Sequence, residues 1–178
     1  IQFEKNEQAE AGYYKVLLDK HNIEAELTAT PRTGIHKYSF PKDWTHRVLI
    51  DLRHRDEVLD SEISVTGDNE ISGYRVSKAW AAEQHVYFVI QFSRDIKQQE
   101  LYLDEALIKG TTAKGKSVVC ALDFGESKKP LVVRVGISGT SIEGARKNLE
   151  AEAKDFDFDQ YKENVQALWR KQLYKITV

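Results

Sequence analysis

The fold is decided in the stretch Leu131-Val-Val-Arg-Val-Gly-Ile-Ser138, which continues as Gly139-Thr-Ser-Ile-Glu-Gly-Ala-Arg-Lys-Asn-Leu149. Up to Ser138, apolar residues recur at every second position, as they do in a half-buried β-strand. From Thr140 onward they recur at helical spacing, and Thr140 with Glu143 forms a capping box, a signal of a helix N-terminus. The sequence therefore predicts a β-domain that ends near residue 139 and a helical segment after it.

The period of two also recurs upstream, in short runs rich in β-branched and aromatic residues and separated by Gly, Asn, Asp and Pro. The predicted strands are Tyr13–Leu18, Glu24–Thr30, His36–Phe40, Arg47–Leu52, Glu70–Ser77, Val86–Phe92, Leu101–Ile108, Ser117–Phe124 and Leu131–Ser138. No helical pattern separates these runs, which excludes the parallel sheet of a βαβ fold. The predicted fold class is mainly β, an antiparallel β-sandwich with two C-terminal helices.

Both helices are amphipathic. One face of the first carries Ile142, Ala145, Leu149 and Ala153. The cap signal repeats at Asp157 with Gln160, and the second helix is predicted to end near Tyr174. Its apolar stripe comprises Tyr161, Val165, Leu168, Trp169 and Gln172. The remaining residues, Lys175–Val178, have the pattern of a strand.

Charge and hydropathy exclude several classes of partner. The chain has 178 residues, which suits one domain, with 26 Lys and Arg against 28 Asp and Glu, a formal net charge of −2. The most basic segment, Arg47–Arg55, also contains Asp51 and is half apolar, unlike a phosphate-binding surface. No apolar run approaches the roughly 20 residues of a membrane helix. We therefore expect no nucleic-acid partner and no membrane span.

A phosphate-loop pattern, G-x-x-x-x-G-K-[ST], occurs at Gly110–Ser117. In a true phosphate loop the Lys is followed directly by a helix, whose N-terminal amides and dipole hold the phosphate. Here Ser117–Phe124 alternates like a strand. We therefore interpret this segment as a flexible hairpin loop with a strand on each side and predict no nucleotide site.

No catalytic or metal-binding constellation is evident from spacing. The five His lack the spacings of zinc sites, and the single Cys, Cys120, lies in an apolar run and is predicted to be buried. Asp155, Asp157 and Asp159 are better explained as a solvated helix entrance than as calcium ligands. The predicted catalytic and metal-ligand sets within this chain are both empty.

Two of the three Trp are candidates for ligand contact. Trp44 follows Pro41-Lys-Asp in a predicted loop, and Trp80 lies between two predicted strands, where residues often carry function. Exposed aromatic rings on β-sandwiches can stack on sugars, although most Trp pack against a core. Trp169 lies on the apolar stripe of the second helix, so we expect it to be packed.

A set of collinear motifs resembles one family. The motifs are Gly12-Tyr-Tyr14, Ala25-Glu-Leu-Thr-Ala-Thr30, Arg32, Gly34, His36, Tyr38-Ser-Phe-Pro41, Ile50-Asp-Leu52, Ile71-Ser-Gly73, Trp80-Ala81, Val86-Tyr-Phe88, Phe92-Ser93, Val135-Gly-Ile-Ser138, Glu143-Gly-Ala145, Asn148-Leu-Glu-Ala-Glu152 and Trp169. Together they are similar to the N-terminal domain of glycoside hydrolase family 92, the calcium-dependent α-mannosidases. The resemblance covers essentially the whole chain.

The resemblance implies a two-part enzyme: a β-sandwich of the supersandwich type, followed by helices that lead into an (α/α)6 catalytic domain. Such enzymes remove terminal α-linked mannose from glycans with inversion. Their catalytic domain supplies a Glu as the general acid, an Asp as the general base and a calcium ion. Residues 1–139 would be the sandwich, incomplete at its N-terminus, and residues 140–178 a helical linker. Because the chain contains no Met, we expect it to be a piece of such a protein.

Further expectations follow from the same resemblance. The parent would be an exo-acting mannosidase, specific for α-1,2 linkages, secreted or periplasmic, and the isolated chain would be inactive. The chain would be a scaffold and one wall of the sugar site, with Arg32, His36 and Trp80 as candidate substrate contacts. An ion pair or a domain contact is the alternative for Arg32 and His36. The alternative for the whole chain is a non-catalytic carbohydrate-binding module that uses Trp44 or Trp80.

Overall fold

The computed structural model describes residues 6–175, in which thirteen β-strands precede two α-helices. The strands are β1 (Glu7–Glu10), β2 (Tyr13–Leu18), β3 (Ile23–Ala29), β4 (Thr33–Ser39), β5 (Thr45–Asp51), β6 (Glu57–Gly67), β7 (Glu70–Lys78), β8 (Gln84–Phe92), β9 (Gln98–Leu103), β10 (Ala106–Ile108), β11 (Thr112–Gly115), β12 (Val118–Glu126) and β13 (Leu131–Ser138). The helices are α1 (Ile142–Glu152) and α2 (Phe158–Leu173).

The strands form two antiparallel sheets of unequal size. The large sheet has nine strands in the order β1-β2-β3-β4-β13-β8-β7-β6-β11, and the small sheet has four in the order β10-β9-β12-β5. The inner face of the large sheet packs on the small sheet, and α1 and α2 lie on its outer face. The predicted class, a mainly β sandwich with two C-terminal helices, is confirmed.

Strands β1, β6 and β11 have no counterpart among the strands predicted from the sequence. The longest, β6, has polar residues on both faces, including Ser61 and Glu62, so it lacks the alternation that marks a strand. The single strand predicted at Leu101–Ile108 is two strands, because Asp104 and Glu105 have φ values of 50° and 68° and form a tight turn. The strand predicted at Lys175–Val178 lies, apart from its first residue, outside the described residues.

The phosphate-loop pattern lies between strands of different sheets. Thr112–Gly115 is β11 and pairs with β6 in the large sheet, and Val118 begins β12 in the small sheet. A strand therefore follows Lys116 where a phosphate loop requires a helix. The strand predicted after Lys116 is present, but the predicted hairpin loop is wrong, because the segment contains β11 and crosses from one sheet to the other.

The main hydrophobic core lies between the two sheets. Its largest side chains include Phe92, Ile63, Leu101 and Leu122, each at most 1% exposed. Cys120 belongs to this core, and burial raises the pKa of its thiol to about 12, so the thiol stays protonated and unreactive. The prediction of a buried structural cysteine is correct.

A second core lies between the large sheet and α1. Ala145 and Leu149 of α1 are fully buried against Ile35 and Val89. The helix approaches β13 closely at Gly136, where an added Cβ would collide with the carbonyl oxygen of Ala145 and lie 2.8 Å from Leu149 Cβ. The helix can therefore lie directly on the strand only because residue 136 has no side chain.

The ends of α1 are held by polar contacts. Its N-cap is Ser141, whose Oγ accepts from the Gly144 amide at 3.0 Å, one residue later than the capping box predicted at Thr140. Beyond its C-terminus, the guanidinium of Arg134 donates to the carbonyl oxygens of Ala153 and Asp155. Arg134 is 7% exposed, so this cation satisfies backbone acceptors that the end of the helix leaves open.

Helix α2 packs on the outer face of the large sheet, mainly over β3 and β4. Its N-cap is Asp157, as predicted, and Phe158 and Val165 are buried. Beneath it, Tyr13 donates to the carboxylate of Glu26 at 2.8 Å, and Lys37 Nζ lies 3.2 Å from the same carboxylate. A buried phenol and an ion pair thus hold the sheet surface on which α2 rests.

A bidentate ion pair joins α1 to the start of β7. The two Nη atoms of Arg146 donate to the Glu70 carboxylate at 2.6 and 2.8 Å, and Gln91 and Thr66 donate to it at 2.8 Å. Hydrogen bonds from Arg146, opposed by burial, lower the pKa of Glu70 to about 2. The carboxylate is therefore held in its charged form.

We expect Gly136→Ala to destabilise the fold by about 1–3 kcal/mol, because its methyl group must push α1 away from β13. Gly139→Ala is the matched control, since nothing lies within 4 Å of a Cβ added there. Chemical denaturation of both variants checks this. Equal stability of the two would show that the close approach is unimportant.

We expect Glu70→Gln to lower the denaturation midpoint at neutral pH. The folded pKa of about 2 lies below the ordinary 4.5, so the contribution of the ion pair is complete above about pH 4.5 and is lost as the pH falls toward 2. The difference from wild type should narrow over that range. Glu143→Gln is the control, because the exposed Glu143–Lys147 pair contributes little at any pH. A difference in midpoint between Glu70→Gln and wild type that does not change with pH would contradict the role of the Glu70 charge.

Candidate functional site

Several loops meet at one end of the large sheet. Antiparallel pairing brings the start of β4, the end of β13, the start of β8 and the end of β7 to this end, with Gly136 opposite Thr33 and Ser138 opposite Tyr87. Arg32 lies in the turn between β3 and β4, and Trp80 lies in the loop between β7 and β8. The topology therefore places two of the three predicted contact residues at the same end of the molecule.

The β3–β4 turn is held by one carboxylate of α1. Glu152 accepts hydrogen bonds from Thr30 Oγ1 at 2.6 Å, from the Arg32 amide at 2.9 Å and from Arg32 Nε at 2.6 Å. Burial acts to raise the pKa of the Glu152 carboxyl, but the hydrogen bonds from Thr30 and Arg32 outweigh it and lower that pKa. The end of α1 thus fixes the turn through a charged group.

Arg32 lines a groove of about 310 Å³ beside this turn. The apolar side chains of Val86 and Ile137 lie in the groove and are 36% and 45% exposed. Polar side chains of Arg32, His85, Ser138 and Asn148 and the backbone of Gly139 complete the lining. Such a mixture of apolar surface and a few polar groups is typical of small-ligand sites.

The groove offers hydrogen-bond donors rather than acid–base chemistry. Only Nε of the Arg32 guanidinium is bonded within residues 6–175, which leaves the Nη donors facing solvent or a ligand. Asn148 Nδ2 donates to the Ile137 carbonyl at 2.8 Å and so holds the end of β13 in place. The lining residues include no carboxylate pair, so the arrangement suits binding of a polar, hydroxyl-bearing molecule.

The structure does not bring His36 to this groove. His36 lies in the middle of β4, opposite the buried Val133, on the face that turns toward the small sheet. Its Nδ1 is 3.0 Å from the Tyr38 hydroxyl, and burial lowers the pKa of the imidazole. The role of His36 as a sugar contact therefore stays a prediction, and its surroundings suit a neutral, packed imidazole.

Two of the three Trp are exposed, as their predicted loop positions indicated, and Trp169 is more exposed than expected. Trp80 is fully exposed at 102%, and Trp44 is 49% exposed beside His21. Trp169, which was expected to be packed, is 48% exposed, because α2 rests on the sheet mainly over β3 and β4 and turns part of its stripe outward. Trp80 lies near the groove by topology but does not line it.

Sequence reasoning did not single out Glu152, His85 or Asn148 as site residues. Glu152 and Asn148 lie on α1, about 120 residues after the turn that they support, and the contact depends on how α1 lies on the sheet. His85 precedes a predicted strand by one position and carries no motif. The available signals were the family-like motif Asn148–Glu152 and the charged residue at the end of an amphipathic helix, and neither connects α1 to the β3–β4 turn.

No metal centre is formed by the part of the chain that the structure describes. Within residues 6–175, no three His, Cys, Asp or Glu side chains come together in a way that could hold an ion. These residues therefore do not fit the calcium site that the family resemblance implies. Neither of the two described helices has the length and apolar character of a membrane-spanning segment.

Comparison with known proteins shows the family. Residues 2–138 match the glycosyl hydrolase family 92 N-terminal domain. The chain is similar to a family GH92 α-mannosidase from Bacteroides thetaiotaomicron solved in complex with mannoimidazole, with 27% identity, a TM-score of 0.92, and coverage of 99% of this chain and 24% of that one. A family GH92 inverting mannosidase from Bacteroides thetaiotaomicron VPI-5482 shares the fold at 22% identity and a TM-score of 0.83, covering 94% of this chain and 23% of that one.

No curated protein sequence matches the chain. The chain spans about a quarter of the length of the solved structures that it resembles. The family match nevertheless covers more than half of the chain, and its boundary at residue 138 coincides with the end of β13. The chain therefore belongs to glycosyl hydrolase family 92 and contains the family's N-terminal domain.

Proposed function

We propose that this chain is the N-terminal sandwich of an exo-acting α-mannosidase, specific for α-1,2 linkages, that removes terminal mannose from glycans with inversion. The likeness of nearly the whole chain to a family GH92 α-mannosidase is the observation that carries the proposal. Inversion requires two carboxyl groups roughly 6.5–9.5 Å apart, with a water molecule between one of them and the sugar. We assign the Glu acid, the Asp base and the calcium ion to the (α/α)6 catalytic domain of the parent protein.

The first role of the chain in this proposal is to support that catalytic domain. The outward face of α2 exposes Leu168, Leu173 and Tyr174 by 60%, 57% and 74%, next to the half-exposed Trp169. A groove of about 460 Å³ runs between this face and the β3–β4 turn. A continuous apolar surface of this kind marks an interaction site, and α2 is the element that leads toward the next domain.

The proposal also includes a sandwich that is incomplete at its N-terminus. At about 4.8 Å per strand, nine strands span roughly 40 Å and four span roughly 20 Å, so the small sheet covers only part of the large one. Among residues 6–175, no strand pairs with the outer edge of β5, and a groove of about 520 Å³ beside it contains Ile23 and Trp44. Further strands of the parent would pair there and cover these side chains.

The second role is to form one wall of the sugar site. The Arg32 guanidinium is held by Glu152 and faces the groove between the β3–β4 turn and α1. Its free donors suit the hydroxyl oxygens of a sugar, and the exposed ring of Trp80 at the same end suits the apolar face of one. From the family resemblance we also propose that the parent is secreted or periplasmic.

A second candidate function is supported by Trp80. The ring of Trp80 is fully exposed, and an exposed indole can stack on the apolar face of a sugar. In this alternative the chain is a carbohydrate-binding module. It has no catalytic activity, and it does not support a catalytic domain.

The two candidates differ in what the complete protein does. We expect the complete protein to release mannose from α-1,2-linked mannobiose, and the 178-residue chain alone to release none, because the carboxylate pair is assigned elsewhere. Chromatography measures the mannose that is released, and NMR identifies the anomer that forms first. A complete protein that is inactive on mannosides, together with a chain that binds manno-oligosaccharides and loses binding on Trp80→Ala, would support the binding module instead.

We expect Arg32→Ala in the complete enzyme to reduce kcat/KM on α-mannosides by on the order of tenfold, since a hydrogen bond from a charged donor is lost. Arg47→Ala is the matched control, because Arg47 is also exposed and also pairs through Nε with a carboxylate, that of Asp123 at 3.1 Å. Steady-state kinetics and an unfolding curve are measured for both. Equal kinetics of the two variants would remove Arg32 from the sugar site.

A further inference from the structure

The outer face of the large sheet is only partly covered by helices. Helix α1 contacts mainly β13 and β8, and α2 contacts β3 and β4. Arg146 of α1 reaches the start of β7 at Glu70, but the rest of the outer face of β7 and the outer faces of β6 and β11 lie beyond both helices in the part of the chain that the structure describes. This leaves a sheet surface whose side chains are neither in the core nor under a helix.

One row of side chains crosses this surface from strand to strand. Pairing places Lys114 of β11 opposite Glu62 of β6, Glu62 opposite Tyr74 of β7, and Tyr74 opposite Tyr87 of β8. The row ends at Ser138 of β13, which is opposite Tyr87. Residues that are directly opposite in neighbouring strands share a face, so these five side chains line the same side of the sheet.

Three aromatic rings of this face form a continuous ladder, which we define as His85, Tyr87 and Tyr74. The rings of His85 and Tyr87 are stacked, with centroids 6.2 Å apart and an interplanar angle of 16°. The rings of Tyr87 and Tyr74 are 5.9 Å apart at 45°. Both tyrosines are partly exposed and His85 is exposed, so the ladder presents ring surface to solvent.

The ladder is continuous with the groove that contains Arg32. His85 is both the first ring of the ladder and a lining residue of the groove, and Ser138 closes the cross-strand row and also lines the groove. A ligand that is longer than the groove would therefore leave it directly over Tyr87 and Tyr74.

The charges around the ladder favour an uncharged ligand that is rich in hydroxyl groups. Asp60 accepts from the Tyr74 hydroxyl at 2.7 Å, Glu62 lies in the row, and Glu83 is 2.8 Å from His85 Nε2. Lys114 Nζ lies 3.8 Å from Asp60 and 5.7 Å from the centroid of the Tyr74 ring, so it is paired with one of these carboxylates. Carboxylates accept hydrogen bonds from hydroxyl groups and repel phosphate or sulfate, so a neutral glycan fits this surface better than an anionic polymer.

We propose that the ladder binds the glycan units beyond the terminal disaccharide, so that the enzyme acts faster on long mannosides than on short ones. The inference rests on the proposed function and deepens it by assigning the substrate class to extended, neutral manno-oligosaccharides. The groove holds the end of the chain, and the rings of Tyr87 and Tyr74 stack on the sugars beyond it. Neither tyrosine takes part in bond cleavage.

A purely structural role is the competing explanation of the ladder. Cross-strand aromatic pairs stabilise antiparallel sheets by themselves, and an exposed aromatic face also suits packing against another protein domain. These roles predict that removing a ring lowers stability and reduces kcat/KM by the same factor on every substrate. The glycan role predicts a loss that depends on the length of the substrate.

The test compares Tyr87→Val in the complete enzyme with Tyr102→Val. Valine keeps the strand preference and removes the ring. Tyr102 is a matched control, because it is a partly exposed tyrosine on the outward side of the small sheet whose hydroxyl donates to a carboxylate, that of Glu100 at 2.6 Å. The readouts are kcat/KM on α-1,2-linked mannobiose and on a manno-oligosaccharide of six or more units, and the thermal midpoint.

We expect Tyr87→Val to reduce kcat/KM about three- to tenfold on the long substrate, mainly through KM, and to leave mannobiose unchanged. Tyr87→Phe should retain the wild-type ratio, since the ring carries the contact. Equal losses on both substrates, or an unchanged ratio with a lowered thermal midpoint, would overturn the inference and leave the mannosidase assignment intact. A wild-type enzyme that is inactive on both substrates would instead overturn the proposed function, and the ladder's role with it.

Discussion

The contact between α1 and β13 is the constraint on which the rest of the structure depends. Gly136 has no side chain, so Ala145 and Leu149 reach the central strand of the large sheet and are fully buried there. That position of α1 brings Glu152 to the β3–β4 turn and Arg146 to Glu70. The groove, the turn that carries Arg32 and the junction of helix and sheet therefore all follow from one missing side chain.

The unequal size of the two sheets explains where binding surfaces occur. Four strands cannot cover nine, and two short helices cover only part of the opposite face. The uncovered regions are of three kinds: an open strand edge at β5, an apolar face on α2, and a polar aromatic face at β7 and β8. Their chemistry differs, which is why we propose further strands, a neighbouring domain and a glycan as their respective partners.

Most of the fold could be predicted from local pattern, and most of the site could not. Strands such as β13 and helices such as α1 are evident because burial imposes a period of two or 3.6 on their own residues. Strand β6 was missed because its outward residues are polar and several of its inward ones, such as Ser61, are polar too. Arg32 was found by resemblance, but its partner Glu152 was not, since nothing local connects residues 120 positions apart.

Periodicity and collinear motifs were enough to predict the sandwich class, the change to helices after residue 139, the buried thiol of Cys120 and the family. Only the tertiary structure decided that Arg32 lies at the groove while His36 turns toward the small sheet, and that Trp169 is half exposed. It also brought His85, Tyr87 and Tyr74 into one ladder. The physical reason is that strand pairing and helix docking join residues distant in the chain, and local preference carries no information about such register.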